Sequence, residues 1–352
     1  MRVPLVVALV LAMSFGASPA RAGEPVLVIH GGAGVQPATL DEAEQRGARA
    51  ALEAALRRGH AELMAGRSAM DAVAAAITVM EDSPHFNAGR GAVFTHEGRN
   101  ELDASVMEGH TRRAGAVAGV QRIRNPVLLA REVMEHSPHV MLVGAGAEAF
   151  ARTRGIEPVD PSWFHTEKRW NKLQQRLAEE AGQQAAVEPE STRYTGTVGA
   201  VALDRAGHLA AGTSTGGMTN KRWNRFGDSP VIGAGTWADA HCAVSGTGWG
   251  EFYLRTAAAS NICSRVRLLG ETAAQAGEAV VNREIVALGG DGGAIVMTAD
   301  GGFAFPFNTA GMYRGWIGAD GVPHVAIGAD ERLRGDVLPA GQASPAPATP
   351  PH

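Results

Sequence analysis

Tyr194-Thr195-Gly196-Thr197-Val198-Gly199-Ala200-Val201-Ala202-Leu203-Asp204 is the stretch on which the chain turns. Upstream, residues 179–195 form a polar run of Gln, Glu and Ser with little to bury, the composition of a disordered linker. Downstream, residues 198–203 are apolar on both faces, as a strand covered on both sides would be. Composition therefore flips from linker to core at the Gly196–Thr197 bond. A Thr freed at its own N–H by a cut there would carry a hydroxyl nucleophile and an α-amine base in one residue. Such amines titrate near pH ~8, so about a tenth is unprotonated at neutrality without tuning. Gly196 suits the cut, because a residue without Cβ tolerates the strained backbone that brings the hydroxyl onto its carbonyl.

The chain has 352 residues, 45 of them Gly, and a net charge of −4. That length fits one large domain or two ordinary ones. The charge is mild and unclustered, which argues against a nucleic-acid or membrane-surface partner. Residues 1–22 stand apart: Arg2, an apolar run from Val3 to Phe15, then Ala20-Arg21-Ala22, an A-x-A cleavage pattern. The run is too short to span a bilayer comfortably and reads as a signal peptide, so export is expected, with a mature start near Gly23. Cys242 and Cys263 would then meet an oxidising compartment, either as a disulfide or as two buried thiols. The 12 His residues show no H-E-x-x-H or comparable pair, which speaks against a zinc enzyme.

Periodicity predicts helices over 40–64 (apolar stripe Leu52, Ala55, Leu56, Ala61, Leu63), from Ser68 as cap to about Met80, over 127–134 and over 167–181. It also predicts two long helices over 251–269 and 271–288. Strand patterns fall at 26–30, 116–120, 140–143, 198–203, 208–213, 293–298 and 302–307. A hairpin is expected between 92–95 and 102–107 through Glu97-Gly98-Arg99. The Pro- and Ala-rich tail from Leu338 is expected to be disordered. Short strands apolar on both faces, with helices on either side of the polar break, predict an α+β fold: two stacked sheets with helices outside, a four-layer αββα sandwich. A doubly wound α/β sheet competes with it.

Three stretches beyond Thr197 are dense in small polar residues: Thr213–Asn220, Arg225–Pro230 and Ser245–Gly250. Arg225 and Asp228 suit a zwitterion, the guanidinium forking onto a carboxylate and the Asp taking an ammonium. The Ser245–Gly250 stretch precedes a helix, where N–H groups can hold a developing oxyanion. The glycine turn His30-Gly31-Gly32-Ala33-Gly34 allows close backbone approach but lacks the ending of a phosphate loop.

Taken together, HGGAG, FNAGRGAVFT, ELDASVM, RNPVLLAREVMEHSPHVML, TGTVGAVALD, TSTGGMTNK, RFGDSP and GTGWGE resemble, in the same order, the plant-type asparaginase and isoaspartyl peptidase family of N-terminal-nucleophile (Ntn) hydrolases. The likeness runs from Val26 to about Gly318. It implies that a precursor cuts itself at Gly196–Thr197 into an α chain (23–196) and a β chain (197–352), Thr197 being the nucleophile. Thr215 and Thr247 would sit beside it, Thr247 and the Gly248 N–H facing the oxyanion, and Asn87 would orient the nucleophile. Arg225 would bind the substrate α-carboxylate and Asp228 the α-ammonium, with Gly250 lining that pocket. The loop 80–90 resembles the family's sodium loop, with carbonyls of Met80, Glu81, Ser83, Phe86, Ala88 and Arg90 as ligands of an ion that shapes the loop and does no chemistry. No cofactor is implied for catalysis. An (αβ)₂ dimer is implied, as are L-asparagine and β-aspartyl dipeptides as substrates. Departures are Asn224, where Gly is usual, beside the bulky Trp223, and Trp249 in place of a small residue. Competing readings are a glycosylasparaginase-like amidase, against which Trp249 argues, and a non-catalytic periplasmic amino-acid-binding protein.

Overall fold

In β5 (Val198–Leu203) adjacent side chains serve different cores. Val198, Ala200 and Ala202 pack with one cluster, Val201 and Leu203 with another. The strand period of two thus places β5 between two apolar layers. The computed structural model describes residues 24–182 and 196–339. The expected signal peptide (1–22), nearly all of the expected linker and residues 340–352 of the expected tail lie outside the described residues.

Among the described residues, the strands form a sheet of eight and a sheet of five. In chain order the first contains β1 (Val26–Ala33), β2 (Leu102–Glu108), β3 (Ala114–Val120), β4 (Met141–Val143), β5 and β6 (Leu209–Thr215). The second is built from β7 (Thr236–Ala238), β8 (Cys242–Gly248), β9 (Gly292–Thr298), β10 (Phe303–Pro306) and, at its edge, β13 (Asp336–Val337). Between these last two the chain returns to the large sheet as β11 (Gly311–Ile317) and β12 (Pro323–Gly328). The orders are β12-β11-β1-β5-β6-β2-β3-β4 and β13-β10-β9-β8-β7.

Three apolar clusters correspond to the three interfaces of a four-layer sandwich. Helices α1 (Glu42–Met64), α2 (Ala69–Glu81) and α3 (Pro126–His136) cover the outer face of the large sheet, where Leu52, Leu56, Val73 and Ile77 meet Leu27, Ile29 and Val106. The sheets meet each other through Val28, Val201, Ala211, Ile295, Met297 and Phe305. The outer face of the small sheet packs Val244 and Val296 against Ile262 of α7 (Ala258–Leu269) and Val280. The expected α+β sandwich is the observed fold. Two further helices, α4 (Gly144–Thr153) and α5 (Glu167–Gly182), extend from the β4 edge toward the break in the chain.

Local signals explain most boundaries. Ser68 and Asp71 form a reciprocal capping box at the start of α2, and Pro126 opens α3 at its first turn. Elsewhere the fold departs from the pattern. Of the expected stripe on α1, Ala61 is exposed and Glu62 is buried instead, between Arg58 and Arg67. The expected hairpin does not form: Thr95 and Arg99 close a tight turn, and β2 pairs with β3 and β6. The expected helix over 251–269 is two, α6 (Gly250–Thr256) and α7, hinged at Ala257 with φ 45°. That break frees the first N–H groups of α7: Ala259 and Ser260 donate to the carbonyls of Ala234 and Gly233. The segment expected as a helix over 271–288 begins as α8 (Ala273–Gly277) and runs on through a π-helical stretch, Glu278–Glu284. Strand β11 escapes the sequence pattern because it carries a fully buried charge. Arg314 forks onto Asp336 at 2.7 Å by both nitrogens.

Cys242 of β8 and Cys263 of α7 are disulfide-bonded, with Cα atoms 5.3 Å apart and a sequence separation of 21. The bond ties the outer helix layer to the strand that carries Thr247. Closing a loop of that size stabilises by about 3 kcal/mol in the chain-entropy account. We expect the Cys242→Ser/Cys263→Ser double variant to lose about that much in urea denaturation, while an unchanged midpoint would assign the bridge no stabilising role.

Candidate active site

Thr197 immediately precedes β5 and is buried, and Gly196 before it takes φ 63°, a left-handed backbone that favours glycine. The β5–β6 register pairs Val198 with Ser214, so Thr197 comes opposite Thr215. The Thr197 hydroxyl donates to Thr215 Oγ1 at 3.0 Å, and that oxygen also accepts from the Gly217 N–H at 3.0 Å. Asn87 spans the other side. Its Nδ2 donates to the carbonyls of Gly196 (2.8 Å) and Gly217 (2.7 Å), while its Oδ1 accepts from the Val93 N–H. Asn87 therefore grips the peptide preceding Thr197, and its amide bonds do not reach the hydroxyl itself.

The glycine turn at the end of β1 exists for close approach. Gly32 has φ 112°, and a Cβ there would lie 2.2 Å from Gly196 Cα and 2.8 Å from Thr197 N. The next residue, Ala33, donates its N–H to Thr247 Oγ1 at 3.1 Å, which brings β8 of the small sheet to the same spot. Thr247 is fully buried, and Gly248 beside it closes β8 at φ 147°. Beneath Thr197 lies His30. Its Nε2 is 2.9 Å from Ser245 Oγ, and burial pulls its pKa down to about 3 against a bond with the Thr197 backbone, so the ring is neutral.

Arg225 and Asp228 converge on Gly250. A Cβ at Gly250 would stand 2.9 Å from both Arg225 Nη2 and Asp228 Oδ1, and one at Gly217 would stand 3.5 Å from Arg225 Nη1. The pair thus borders the Thr197–Thr215–Gly217 cluster. Asp228 is fully enclosed, its Oδ2 has no hydrogen-bond partner, and burial raises its pKa to about 6, offset by a backbone bond and Arg225. An unpartnered buried carboxylate oxygen costs free energy until a cation arrives. Arg225 already has an anion: its Nε and Nη2 fork onto Glu251 at 2.9 and 2.8 Å. Burial alone would raise the Glu251 carboxyl, but that fork holds it below its ordinary value.

A family model described as Asparaginase matches residues 23–327. The chain belongs to the asparaginase family. It is 48% identical to the isoaspartyl peptidase of Escherichia coli over 320 residues, 90% of this chain and 99% of that relative. Similar too are the isoaspartyl peptidase/L-asparaginase of Mus musculus (43% over 290 residues, 82% and 86%) and the plant-type L-asparaginase of Pyrococcus abyssi (41% over 299 residues, 81% and 94%).

In this asparaginase-family chain, then, Asn87, Gly196, Thr197, Thr215, Thr247 and Gly248 gather at one place, and Arg225, Asp228 and Gly250 adjoin them. The loop at 80–90, which carries Asn87, folds back closely on its own carbonyls. A Cβ at Gly89 would be 2.3 Å from Glu81 O, and one at Gly91 would be 2.0 Å from Phe86 O and 2.9 Å from Pro84 O. Met80 O and Ala88 O each accept one N–H, from Ser83 and Gly91. The family likeness gives Glu81 a role only through its carbonyl. Its side chain, with burial pushing the carboxyl up to about 8, accepts from Ser214 Oγ and the Val127 N–H, so it pins β6 next to Thr215. Also missed were Glu251 and Lys221, which is buried 3.9 Å from the carboxylates of Glu101 and Asp103. No spacing rule joins residues so far apart in sequence. Asn224 takes φ 56°, a conformation Asn tolerates, and Trp223 at φ 57° is 91% exposed rather than folded over the site.

The sheets approach closely at Gly199, where a Cβ would stand 2.0 Å from Ser245 Oγ of the facing sheet and 2.3 Å from His30 Nε2. Gly199→Ala should cost about 1–3 kcal/mol of stability by overpacking. Calorimetry checks it, and an unshifted thermal midpoint would mean that the sheets part freely here.

Proposed function

We propose that the chain is an autoproteolytically activated threonine amidohydrolase that hydrolyses L-asparagine and β-aspartyl dipeptides. The observation that carries the reading is the Thr197 hydroxyl bonded to Thr215 beside a Gly196 carbonyl gripped by Asn87. Activation begins with attack of Thr197 Oγ on the Gly196 carbonyl carbon. The peptide C–N bond breaks, the nitrogen takes the hydroxyl proton, and water hydrolyses the resulting ester to a Gly196 carboxylate and a free Thr197 α-amine. The names of the relatives point to the substrates.

In the mature site the α-amine accepts the hydroxyl proton while Oγ attacks the side-chain carbonyl of the aspartyl group. Thr247 and the Gly248 N–H take the developing negative charge. The C–N bond then breaks, the leaving nitrogen takes the proton from the α-amine, and water releases aspartate from the ester. Asp228 receives the substrate ammonium, which supplies its unpartnered oxygen with a donor. Arg225 receives the α-carboxylate, and Glu251, half-exposed on its outer side, gives up the fork. The loop at 80–90 would hold a hard monovalent cation through the carbonyls of Met80, Glu81, Ser83, Phe86, Ala88 and Arg90. That ion would fix the loop that carries Asn87 and take no part in the chemistry. Export fits the same reading, because the Cys242–Cys263 bridge persists in an oxidising compartment.

Thr197→Ala should yield an uncut, folded, inactive precursor, whereas Thr197→Ser should cut more slowly. Mass spectrometry finding normal fragments from the Ala variant would sink the self-cleavage mechanism. A second test is pH. Asp228 must be ionised to take the ammonium, and burial puts its pKa at about 6. In the processed enzyme kcat/KM should therefore lose a further ten-fold or so per pH unit below about 6, beyond the limb set by protonation of the Thr197 α-amine. Asp228→Asn should remove that limb along with about ten- to a hundred-fold of kcat/KM. A wild-type profile with no steepening below about pH 6 would take Asp228 out of ammonium binding.

A further inference from the structure

The proposed chemistry relies on the Gly248 N–H, and the ladder shows where that donor points. The Gly246 N–H donates to Gly235 O at 2.8 Å, just before the start of β7. Two residues further along an extended strand, the N–H of Gly248 points to the same edge. The pairing of β7 with β8 ends with Thr236 opposite Ser245, so Gly248 lies past it and its N–H is left over by the sheet. On the other edge β9 holds the chain: Gly248 is paired with Gly292, and the Trp249 N–H donates to Asp291 O at 3.2 Å. A donor at a strand end, held from one edge, keeps its aim only if something rigid backs it.

Tyr253 supplies that backing. It lies on α6, the short helix that follows β8, and its ring folds back under the strand. A Cβ at Gly246 would stand 3.1 and 3.2 Å from the ring atoms Cδ1 and Cε1, and one at Gly248 would stand 3.2 Å from Cε2. Both glycines lie on the same face of β8, so a single ring takes the space of two side chains, on either side of Thr247. Gly292 clears the other end, where a Cβ would stand 2.7 Å from the Tyr253 hydroxyl. That hydroxyl donates to Gly293 O at 2.9 Å, on β9 directly opposite Thr247. Tyr253 is fully enclosed, and burial pushes its phenol well up, so it stays a donor. The ring is thus anchored to β9 at its tip and rests against β8 along its edges. None of the motifs that carry the family likeness reaches it.

We propose that Tyr253 is a positioning residue for the oxyanion site, its ring holding Gly248 so that the N–H meets the developing negative charge. The proposal rests on the threonine-hydrolase reading given above and extends it. Tyr253 acts through Gly248 and takes no part in bond breaking. Negative charge on the aspartyl carbonyl oxygen develops only in the transition state, so loss of the ring lowers kcat and spares ground-state binding. The ring also borders Asp228, whose Oδ2 would stand 3.4 Å from a Cβ at Gly246. A role exerted through Asp228 would instead weaken every ligand that carries the α-ammonium.

The test measures steady-state kinetics of processed full-length enzyme on L-asparagine and β-Asp-Leu, with inhibition by L-aspartate, which has the α-groups but no scissile bond. Tyr253→Phe keeps the ring and should stay within about two-fold of wild type in kcat. Tyr253→Leu and Tyr253→Met remove it and should lose about ten-fold or more in kcat on both substrates, while KM and the L-aspartate inhibition constant stay within about two-fold. An unchanged kcat in these two variants, or a loss matched by an equal rise in the inhibition constant, would overturn the inference and leave the hydrolase reading standing. So would a loss in Tyr253→Phe as large as in Tyr253→Leu, since the ring would then not be what holds Gly248. Failure of both Tyr253→Leu and Tyr253→Met to fold and cut would reduce Tyr253 to a core residue and overturn it as well. If processed wild type hydrolyses neither substrate, the hydrolase reading fails and this inference with it.

Discussion

The fold depends on two sheets meeting at hydroxyl distance rather than methyl distance along one line. From His30 Nε2 the contacts run to Ser245 Oγ (2.9 Å), to Thr213 Oγ1 (2.7 Å), to Thr236 Oγ1 (2.5 Å) and to Ser105 Oγ (2.8 Å), all fully buried. Ser105 ends the chain by donating to the Ser229 carbonyl, next to Asp228. A buried polar line of this kind is worth having only when its members are satisfied, so it fixes the stagger of one sheet on the other more sharply than interchangeable methyls would. Gly199 is the geometric consequence.

That stagger lets distant segments share one small volume. Thr197 comes from β5, Thr215 from β6, Thr247 from β8, Asn87 from a loop of the helical layer, and Arg225 and Asp228 from the crossover between the sheets. Three of them are held by main-chain donors: Gly217 N–H on Thr215, Ala33 N–H on Thr247, Val93 N–H on Asn87. Backbone donors do not rotate, so the groups are pre-set before any ligand arrives. The disulfide and the Arg314–Asp336 fork secure the small sheet and its edge, away from the chemistry.

Charges around the site are arranged in opposition. Asp228 is left with an open oxygen and a raised pKa, while Arg225 is temporarily neutralised by Glu251. A zwitterion satisfies the first and competes for the second, and neither would tolerate being left alone in a dry pocket.

Much of this was legible in the chain itself. Residues 198–203 had to be a doubly covered strand because both faces are apolar, and the Ser68 and Pro126 starts follow from local capping chemistry. The string of motifs set the family, and with it the gathering of Thr197, Thr215, Thr247 and Asn87. What the sequence left open was decided by packing. Whether Cys242 and Cys263 pair depends on β8 lying under α7, which no spacing of 21 encodes. The helix expected over 251–269 breaks at Ala257 because acceptors at Gly233 and Ala234 await its N–H groups. Strand β11 hides behind a buried Arg whose partner is 22 residues away. The grip of Asn87 on Gly196, the Glu251 fork on Arg225 and the raised pKa of Asp228 likewise arise from proximity and desolvation. Residue types and local periodicity determine which segments are strand, helix or turn; which charges face each other, and how dry they are, exists only once the sheets have closed.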